Sequence, residues 1–153
     1  MKTLAELLAT HPFFRDFNPE HLELLSGCAS QQRVDEGDFL FREGEVAKAF
    51  YVVRHGSIAV TAVTPHQGLV TIQTLGEGDV LGWSWLVKPY RWHFGARALE
   101  PTVVVGLDAA CVRGKCDQDS KFGYEMMRRF AQVMASRLEA THLQLMNVYE
   151  NRS

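Results

Sequence analysis

The residues best suited to chemistry are concentrated in one stretch, residues 76–98, which shows no clear helix or strand period. Its indole and phenol rings can stack on a ring-containing ligand, and its cationic side chains can hold an anion. Such a segment either fills the space beneath a loop or forms the wall of a pocket. The residues concerned are Gly82, Trp83, Ser84, Trp85, Tyr90, Arg91, Trp92, His93, Phe94 and Arg97.

Length and composition are those of an ordinary globular domain. The chain has 153 residues, which is long enough for one domain with a hydrophobic core. Of these residues 46% are hydrophobic and 22% are charged, as is usual for globular proteins. A net charge of −2 gives no general attraction to nucleic acid or an anionic membrane. No apolar run approaches the roughly 20 residues that span a bilayer, and the N-terminus lacks a signal-peptide core, so we expect a cytoplasmic protein. Three cysteines are an odd number, which argues against a disulfide framework.

Two short helices are predicted at the start of the chain. The first ends near His11-Pro12, because a residue before proline is pushed out of the helical region. The second begins with Asn18 as cap and Pro19 in the first turn, and it ends at Gly27. Residues 1–28 are therefore expected to be helical.

Residues 29–108 predict strands, because their hydrophobic period is two and β-branched and aromatic residues are frequent. Gly56 is expected to form a tight hairpin turn with a positive φ. Some eight short strands without helices between them favour a mainly β fold, a sandwich or roll, within a single domain over residues 1–153. The clearest strands are Ala49–His55, Ser57–Thr64, Leu69–Leu75, Phe94–Leu99 and Thr102–Leu107.

Residues 109–153 are expected to be helical, with one long helix that carries a hydrophobic seam over more than three heptads. Either this helix packs on its own roll, or it pairs with a second copy of the chain. We favour pairing, because a single roll rarely offers a groove of about 35 Å, the length of such a helix. The seam contains Tyr124, Met127, Ala131, Met134, Leu138, Thr141, Leu145 and Val148.

The order of these motifs resembles the cyclic nucleotide-binding domain, and especially the sensor half of the catabolite activator family. The resemblance extends from Phe13 to Tyr149 and is carried by F-R-E-G-E at 41–45, F-Y-V-V-R-H-G-S-I-A-V at 50–60, G-E-G-D-V-L-G at 76–82 and A-R-A at 96–98. It implies a double-stranded β-helix, or jelly-roll, with short N-terminal helices and a long C-terminal helix. It also implies a regulatory function and a phosphate-binding cassette over residues 82–98.

The resemblance further implies how such a cassette holds a cyclic nucleotide. A short helix after Gly82 would direct backbone N–H groups at the phosphate, as helix N-termini do for anions. A glutamate directly after that glycine would accept from the ribose hydroxyl, and an arginine about ten residues later would pair with the phosphate. In this sequence Trp83 stands at the glutamate position, and Trp92 stands at the arginine position, followed by His93.

These replacements are expected to prevent the usual binding of cyclic AMP or cyclic GMP. Losing a hydrogen bond to a charged group costs about 1.5–3 kcal/mol, and burying a charge without its partner costs about 3–5 kcal/mol more. A sum near 5 kcal/mol would weaken micromolar binding to the order of 10 mM. The alternative is a receptor for these nucleotides that uses Arg91 or Arg97. The sequence allows two alternatives for this segment. Its indoles either fill the space of the nucleotide or line a cavity for a small ring-containing ligand.

Other classes of function are expected to be absent. A cupin-type metalloenzyme, which shares a roll of this shape, begins its ligand set with an H-x-H pair, and the six histidines include none. No nucleophilic triad is indicated, so we expect no enzyme activity. Cys28, Cys111 and Cys116 lack the close spacing of iron–sulfur cluster ligands, and we expect no cofactor. Only a few residues follow Val148, which leaves no helix-turn-helix module for direct DNA binding. We predict a stand-alone regulatory or sensor module that forms a homodimer through residues 123–149, with a ligand-free scaffold protein as a further alternative.

Overall fold

The computed structural model describes residues 3–151. Two short helices, α1 (Leu4–Ala9) and α2 (Pro19–Ser26), precede the strands, and a 3₁₀ turn at Pro12–Phe14 lies between them. Two helices follow the last strand, α3 (Ala109–Gln118) and α4 (Ser120–Glu150). The strands are β1 (Ala29–Val34), β2 (Phe39–Phe41), β3 (Ala49–His55), β4 (Ser57–Thr64), β5 (Gly68–Gly76), β6 (Val80–Leu81), β7 (Gly95–Ala98) and β8 (Thr102–Asp108).

Within the described residues the eight strands form two antiparallel four-stranded sheets. Their orders are β1-β8-β3-β6 and β2-β7-β4-β5. The sequence prediction of a mainly β jelly-roll with short N-terminal helices and a long C-terminal helix is confirmed. The expected hairpin at Gly56 is wrong in one respect: the turn is tight and Gly56 has φ 99°, but β3 and β4 belong to different sheets. Gly56 therefore carries the chain from one sheet to the other.

The N-terminal helices begin where their capping residues predict. The Asn18 side chain accepts a hydrogen bond from the Glu20 N–H at 2.8 Å, and Pro19 occupies the first turn. The Thr3 hydroxyl accepts from the Glu6 N–H, and the Glu6 carboxylate accepts from the Thr3 N–H, which forms a capping box. Both helices predicted before Ala29 are thus present.

The core is built mainly from side chains of the two sheets and of the N-terminal segment. Trp85, Phe14 and Phe50 are among the largest fully buried side chains. The Phe50 and Trp85 rings stack with centroids 4.8 Å apart. Aromatic pairs of this kind add about 0.5–1.5 kcal/mol beyond the burial of their area. The segment that contains Trp85 is therefore anchored in the core through strand β3.

The sequence argued against a disulfide framework and did not indicate the single disulfide that the structure contains. Cys28 and Cys111 form a disulfide, with Cα atoms 5.7 Å apart, and Cys116 is free. The pairing of β1 with β8 explains this, because Ala29 lies opposite Leu107 and the residues just outside the two strands are therefore neighbours. An odd cysteine count excludes a fully paired framework but does not exclude one disulfide.

The chain divides into two compact units, Met1–Lys115 and Cys116–Ser153. The first unit contains both sheets and the candidate site. The prediction of a single domain over residues 1–153 is not tested by this division and stays a prediction.

In the second unit, α4 begins after Asp119, whose carboxylate accepts from the N–H groups of Lys121 and Phe122. Phe122, Met126 and Phe130 are buried, whereas the predicted seam lies on exposed positions throughout. Among residues 3–151 there is no helix with the length and apolar character needed to cross a membrane.

Candidate functional site

The turn before the aromatic segment is held by its own hydrogen bonds and by strand β3. The Asp79 carboxylate accepts from the Gly76 N–H at 2.9 Å, and Gly78 has φ 92°. Val53 of β3 accepts from the Gly78 N–H and donates to the Asp79 carbonyl. The chain then passes through β6 and reaches Gly82 from a fixed direction.

The indole of Trp92 lies directly against the backbone of Gly82. A Cβ added to Gly82 would be 2.5 Å from two carbons of the Trp92 ring, Cη2 and Cζ3. On its other side the ring stacks on Phe41, with centroids 3.6 Å apart and planes 10° from parallel. Phe41 in turn stacks on Tyr51 at 5.9 Å, and Trp92 is only 5% exposed. The space next to Gly82 is therefore filled by a side chain of the protein itself.

Trp83 lies differently from Trp92. It is half-buried and stacks on the exposed ring of His93, with centroids 4.7 Å apart. The hydroxyl of the buried Ser84 lies 3.3 Å from Nδ1 of His93. These three residues form a partly exposed group in which Ser84 orients the His93 ring. Trp83 thus presents one ring at the surface instead of joining the buried stack.

Trp85 belongs to the core and is joined to helix α3. Its carbonyl oxygen accepts a hydrogen bond of 2.7 Å from the Arg113 guanidinium. The same guanidinium lies over the Tyr90 ring, 4.2 Å from its centroid. Sequence reasoning did not identify Arg113, because its partners lie 23 and 28 positions earlier in the chain. The only sequence feature that could have indicated Arg113 was its position in the helix that directly follows the last strand.

The two arginines considered as phosphate ligands are bonded elsewhere. Arg91 is exposed and donates to the Gly44 carbonyl at 3.0 Å. Arg97 is exposed and donates from Nε to the Gly37 carbonyl at 3.0 Å, while its guanidinium lies 5.8 Å from the centroid of the Phe39 ring. Burial of Trp92 beside the exposed Arg91 agrees with the alternation expected of extended backbone. The structure therefore brings together Gly82 and Trp92, but it places Arg91 and Arg97 at the surface.

The helix implied after Gly82 is reduced to one 3₁₀ turn, Ser84–Leu86. Its N-terminal neighbour Trp83 makes no side-chain capping bond. A single turn offers few oriented N–H groups and little dipole for an anion. Within residues 3–151, no three His, Cys, Asp or Glu side chains are grouped closely enough to hold a metal ion.

Two titratable groups with shifted pKa values, the buried His11 and the half-buried Tyr51, contact strand β3 or belong to it. His11 caps the 3₁₀ turn at Pro12, where its Nδ1 accepts from the Phe13 N–H at 3.2 Å, and its Nε2 lies 3.2 Å from the Val53 carbonyl. Burial lowers the pKa of His11 below its ordinary value, although the Val53 carbonyl and the Asp79 charge oppose that effect. Burial also raises the pKa of Tyr51, which keeps the phenol neutral. Burial thus disfavours the charged form of both groups.

A model of the cyclic nucleotide-binding domain matches residues 31–119, more than half of the chain. A cyclic nucleotide-gated cation channel protein of Drosophila melanogaster is 35% identical over 69 residues, which are 45% of this chain and 10% of the channel protein. This match spans far less than two thirds of that relative's length, so it bears on one region of the channel protein.

Solved structures show the same fold. A cyclic nucleotide-binding domain from Methylobacillus flagellatus has a TM-score of 0.79 at 19% identity, covering 94% of this chain and 81% of that one. The catabolite activator protein of Thermus thermophilus has a TM-score of 0.71 at 22% identity, covering 88% of this chain and 61% of that one. At identities below 25%, these likenesses concern the fold alone.

Proposed function

The chain belongs to the cyclic nucleotide-binding domain family, and from that premise we propose that it is a regulatory module whose nucleotide site is occupied by its own side chains. The observation that carries the proposal is the Trp92 ring, which lies between Gly82 and Phe41. In the family pattern, an arginine at that position pairs with the cyclic phosphate. Here the position holds an apolar ring that is already stacked and 5% exposed.

The loss of charged partners supports the same proposal. Trp83 replaces the glutamate that would accept from the ribose, and the two candidate cations, Arg91 and Arg97, donate to the backbone carbonyls of Gly44 and Gly37. Turning either arginine inward would break its hydrogen bond and require Trp92 to move. With about 5 kcal/mol lost from the usual interactions, we expect dissociation constants for cyclic AMP and cyclic GMP on the order of 10 mM.

A thermal unfolding experiment with 1 mM of each nucleotide tests this proposal. A ligand at 100 times its dissociation constant adds about 2.7 kcal/mol to stability, which for a chain of this size raises Tm by roughly 5–10 °C. At the weak affinity proposed here, the expected shift is below about 1 °C. A shift above about 5 °C with either nucleotide would support the competing function, a receptor that uses Arg91 or Arg97.

We further propose that the module is a homodimer that pairs through α4. The seam residues are exposed at every position, whereas Phe122, Met126 and Phe130 are buried. The buried residues and the exposed seam therefore lie on different faces of the helix. Leu138, Leu145 and Val148 are each more than half exposed, which is unfavourable for large apolar side chains in water. A second copy of the same seam would cover them by knobs-into-holes packing. The proposed interface contains Met127, Ala131, Met134, Leu138, Thr141, Leu145 and Val148.

Sedimentation of a matched pair of variants tests the seam. Leu138 is 57% exposed in one chain. Burying its apolar surface in the dimer would contribute about 1.5 kcal/mol from each protomer, or about 3 kcal/mol to the free energy of dimerisation. Leu138→Glu should therefore weaken the dimer by about 100-fold or more. Leu143→Glu is the control, since Leu143 is 55% exposed and lies off the seam. Equal sedimentation of the two variants, or a monomeric wild type, would contradict the proposal.

A ligand-free scaffold protein is the second candidate function, and the filled space beside Gly82 favours it. Native mass spectrometry of gently desalted protein distinguishes the candidates. A dimer without adduct supports the scaffold, whereas a dimer with a retained aromatic compound supports a sensor for that compound. Both candidates keep the predictions of no enzyme activity, no cofactor, no direct DNA binding and a cytoplasmic location.

A further inference from the structure

The Cys28–Cys111 disulfide connects the turn between α2 and β1 with the first turn of α3. The backbones at the two cysteines are also held without the sulfur atoms. Asp108 donates its N–H to the Cys28 carbonyl at 2.9 Å, and β1 pairs with β8 along its whole length. The Asp108 carboxylate accepts from the Cys111 N–H. The disulfide can therefore open without separating the sheet.

The first half of α3 is the part of the molecule that joins the disulfide to the candidate site. Arg113 follows Cys111 by two residues, and its guanidinium contacts both the Trp85 carbonyl and the Tyr90 ring. Val112 between them is fully buried. A shift of the first turn of α3 would thus move the guanidinium that holds the Trp85–Tyr90 segment.

We propose that Cys28 and Cys111 form a reversible thiol–disulfide couple that sets how firmly α3 holds the Trp85–Tyr90 segment. With the disulfide closed, the first turn of α3 is tied to the turn between α2 and β1, and Arg113 is held over Tyr90. With two thiols, that turn is held only by its hydrogen bonds and by burial of Ala109 and Val112. The inference does not depend on whether the module binds a nucleotide.

The oxidant and reductant in this proposal are a low-molecular-weight disulfide and its thiol, such as the glutathione couple. The thiolate of Cys111 attacks the small disulfide, forms a mixed disulfide and releases one small thiolate. The thiolate of Cys28 then attacks the Cys111 sulfur of that mixed disulfide, closes the protein disulfide and releases the second small thiolate. The two protons lost by the cysteines are taken up by the released thiolates, and reduction is the reverse.

The accessibility of Cys28 and Cys111 sets the order of these steps. Cys28 is only 7% exposed, whereas Cys111 is half-buried and within reach of a small disulfide. Cys116 is also half-buried, and burial raises the pKa of its thiol, with Asp117 acting in the same direction, which makes it a poorer nucleophile than an ordinary thiol. In a Cys28→Ser variant, glutathione disulfide should therefore leave one mixed disulfide, on Cys111. An adduct found mainly on Cys116 would contradict this order.

Hydrogen exchange of the oxidised and reduced protein tests the proposal, with Cys116→Ser as the background that removes the third thiol. The amides of Leu86, Val87 and Tyr90 donate within the segment and report on its opening. Reduction should accelerate their exchange by about 5-fold or more, together with that of the first turn of α3. The amides of β3 and β8 exchange through global unfolding, so their acceleration measures the loss of global stability separately.

Two results would overturn the proposal. One is that Cys28 and Cys111 remain free thiols in excess glutathione disulfide, and the other is equal exchange of residues 84–90 in both redox states. Arg113→Gln tests the route separately. In that variant, reduction should still accelerate exchange in α3 but should have no effect on residues 84–90. A response of residues 84–90 as large as in the parent would refute the role of Arg113, and if the variant does not fold, the parent comparison alone decides.

Discussion

Replacing Trp92 with alanine would empty the space between Gly82 and Phe41. The side chain is 5% exposed and stacks on Phe41 with centroids 3.6 Å apart, so the change removes a nearly buried aromatic ring. Core Trp→Ala substitutions cost about 3–5 kcal/mol, because the transfer free energy is lost and a cavity remains. For a chain of this size, the expected fall in Tm is roughly 10 °C.

Urea unfolding of wild type and Trp92→Ala measures this loss, and added indole tests its cause. Indole has the shape of the deleted group, and apolar cavities of that kind bind small aromatic molecules. At 100 times its dissociation constant it should restore about 2.7 kcal/mol. Restoration by indole would show that the emptied space persists beside Gly82.

Trp83→Ala is the control for this experiment. Trp83 is half-buried and its neighbour His93 is exposed, so we expect a smaller loss and no restoration by indole. A loss below about 1 kcal/mol for Trp92→Ala would refute the reasoning, because a ring that fills the nucleotide space cannot be removed at so small a cost. Equal losses for both variants, with equal effects of indole, would also contradict it.

Three further predictions concern the elements around the site. Gly82→Ala should lower the free energy of unfolding by about 2–5 kcal/mol, because Gly82 has φ 94° and the new Cβ would meet the Trp92 ring. Gly114→Ala in α3 is the control in the same urea assay: nothing lies within 4 Å of its added Cβ, so it should be neutral or slightly stabilising. Burial lowers the pKa of His11, so the stability it contributes is complete above about pH 6.5 and is lost as pH falls through its folded pKa; His11→Asn should remove this dependence in a pH series of urea midpoints. Asn18→Ala should cost about 1 kcal/mol by loss of the α2 cap, and a Tm unchanged within error would contradict that role.

Much of the fold could be predicted from local patterns. Asn18 and Pro19 mark the start of α2, and β3 and β4 have the predicted bounds, because caps and strand periods depend on neighbours in the sequence. The prediction of a hairpin at Gly56 was wrong because it, too, used only neighbours in the sequence. A tight turn with positive φ is visible in the sequence, but which strands pair across it depends on the whole sheet order.

The candidate site could be predicted in part. The replacement of charged residues by Trp83 and Trp92 is visible in the sequence, but their different burial is not. Trp92 is extended beside the exposed Arg91 and so turns inward, whereas Trp83 directly precedes a short 3₁₀ turn and is half-buried. The ligand roles of these residues stay predictions.

Long-range contacts could not be predicted from spacing alone. The Cys28–Cys111 disulfide joins residues 83 positions apart and depends on the pairing of β1 with β8. The contact of Arg113 with the Trp85 carbonyl depends on where α3 lies after the last strand. Once the pairing of β1 with β8 is known, the positions of the two cysteines just outside these strands indicate the disulfide.

Isothermal titration calorimetry of the wild-type protein with cyclic AMP and cyclic GMP tests the central claim most directly. With Trp92 against Gly82, and with Arg91 and Arg97 bonded to backbone carbonyls, we predict no saturable heat with either nucleotide up to about 1 mM. A dissociation constant below about 100 μM for either nucleotide would contradict the account.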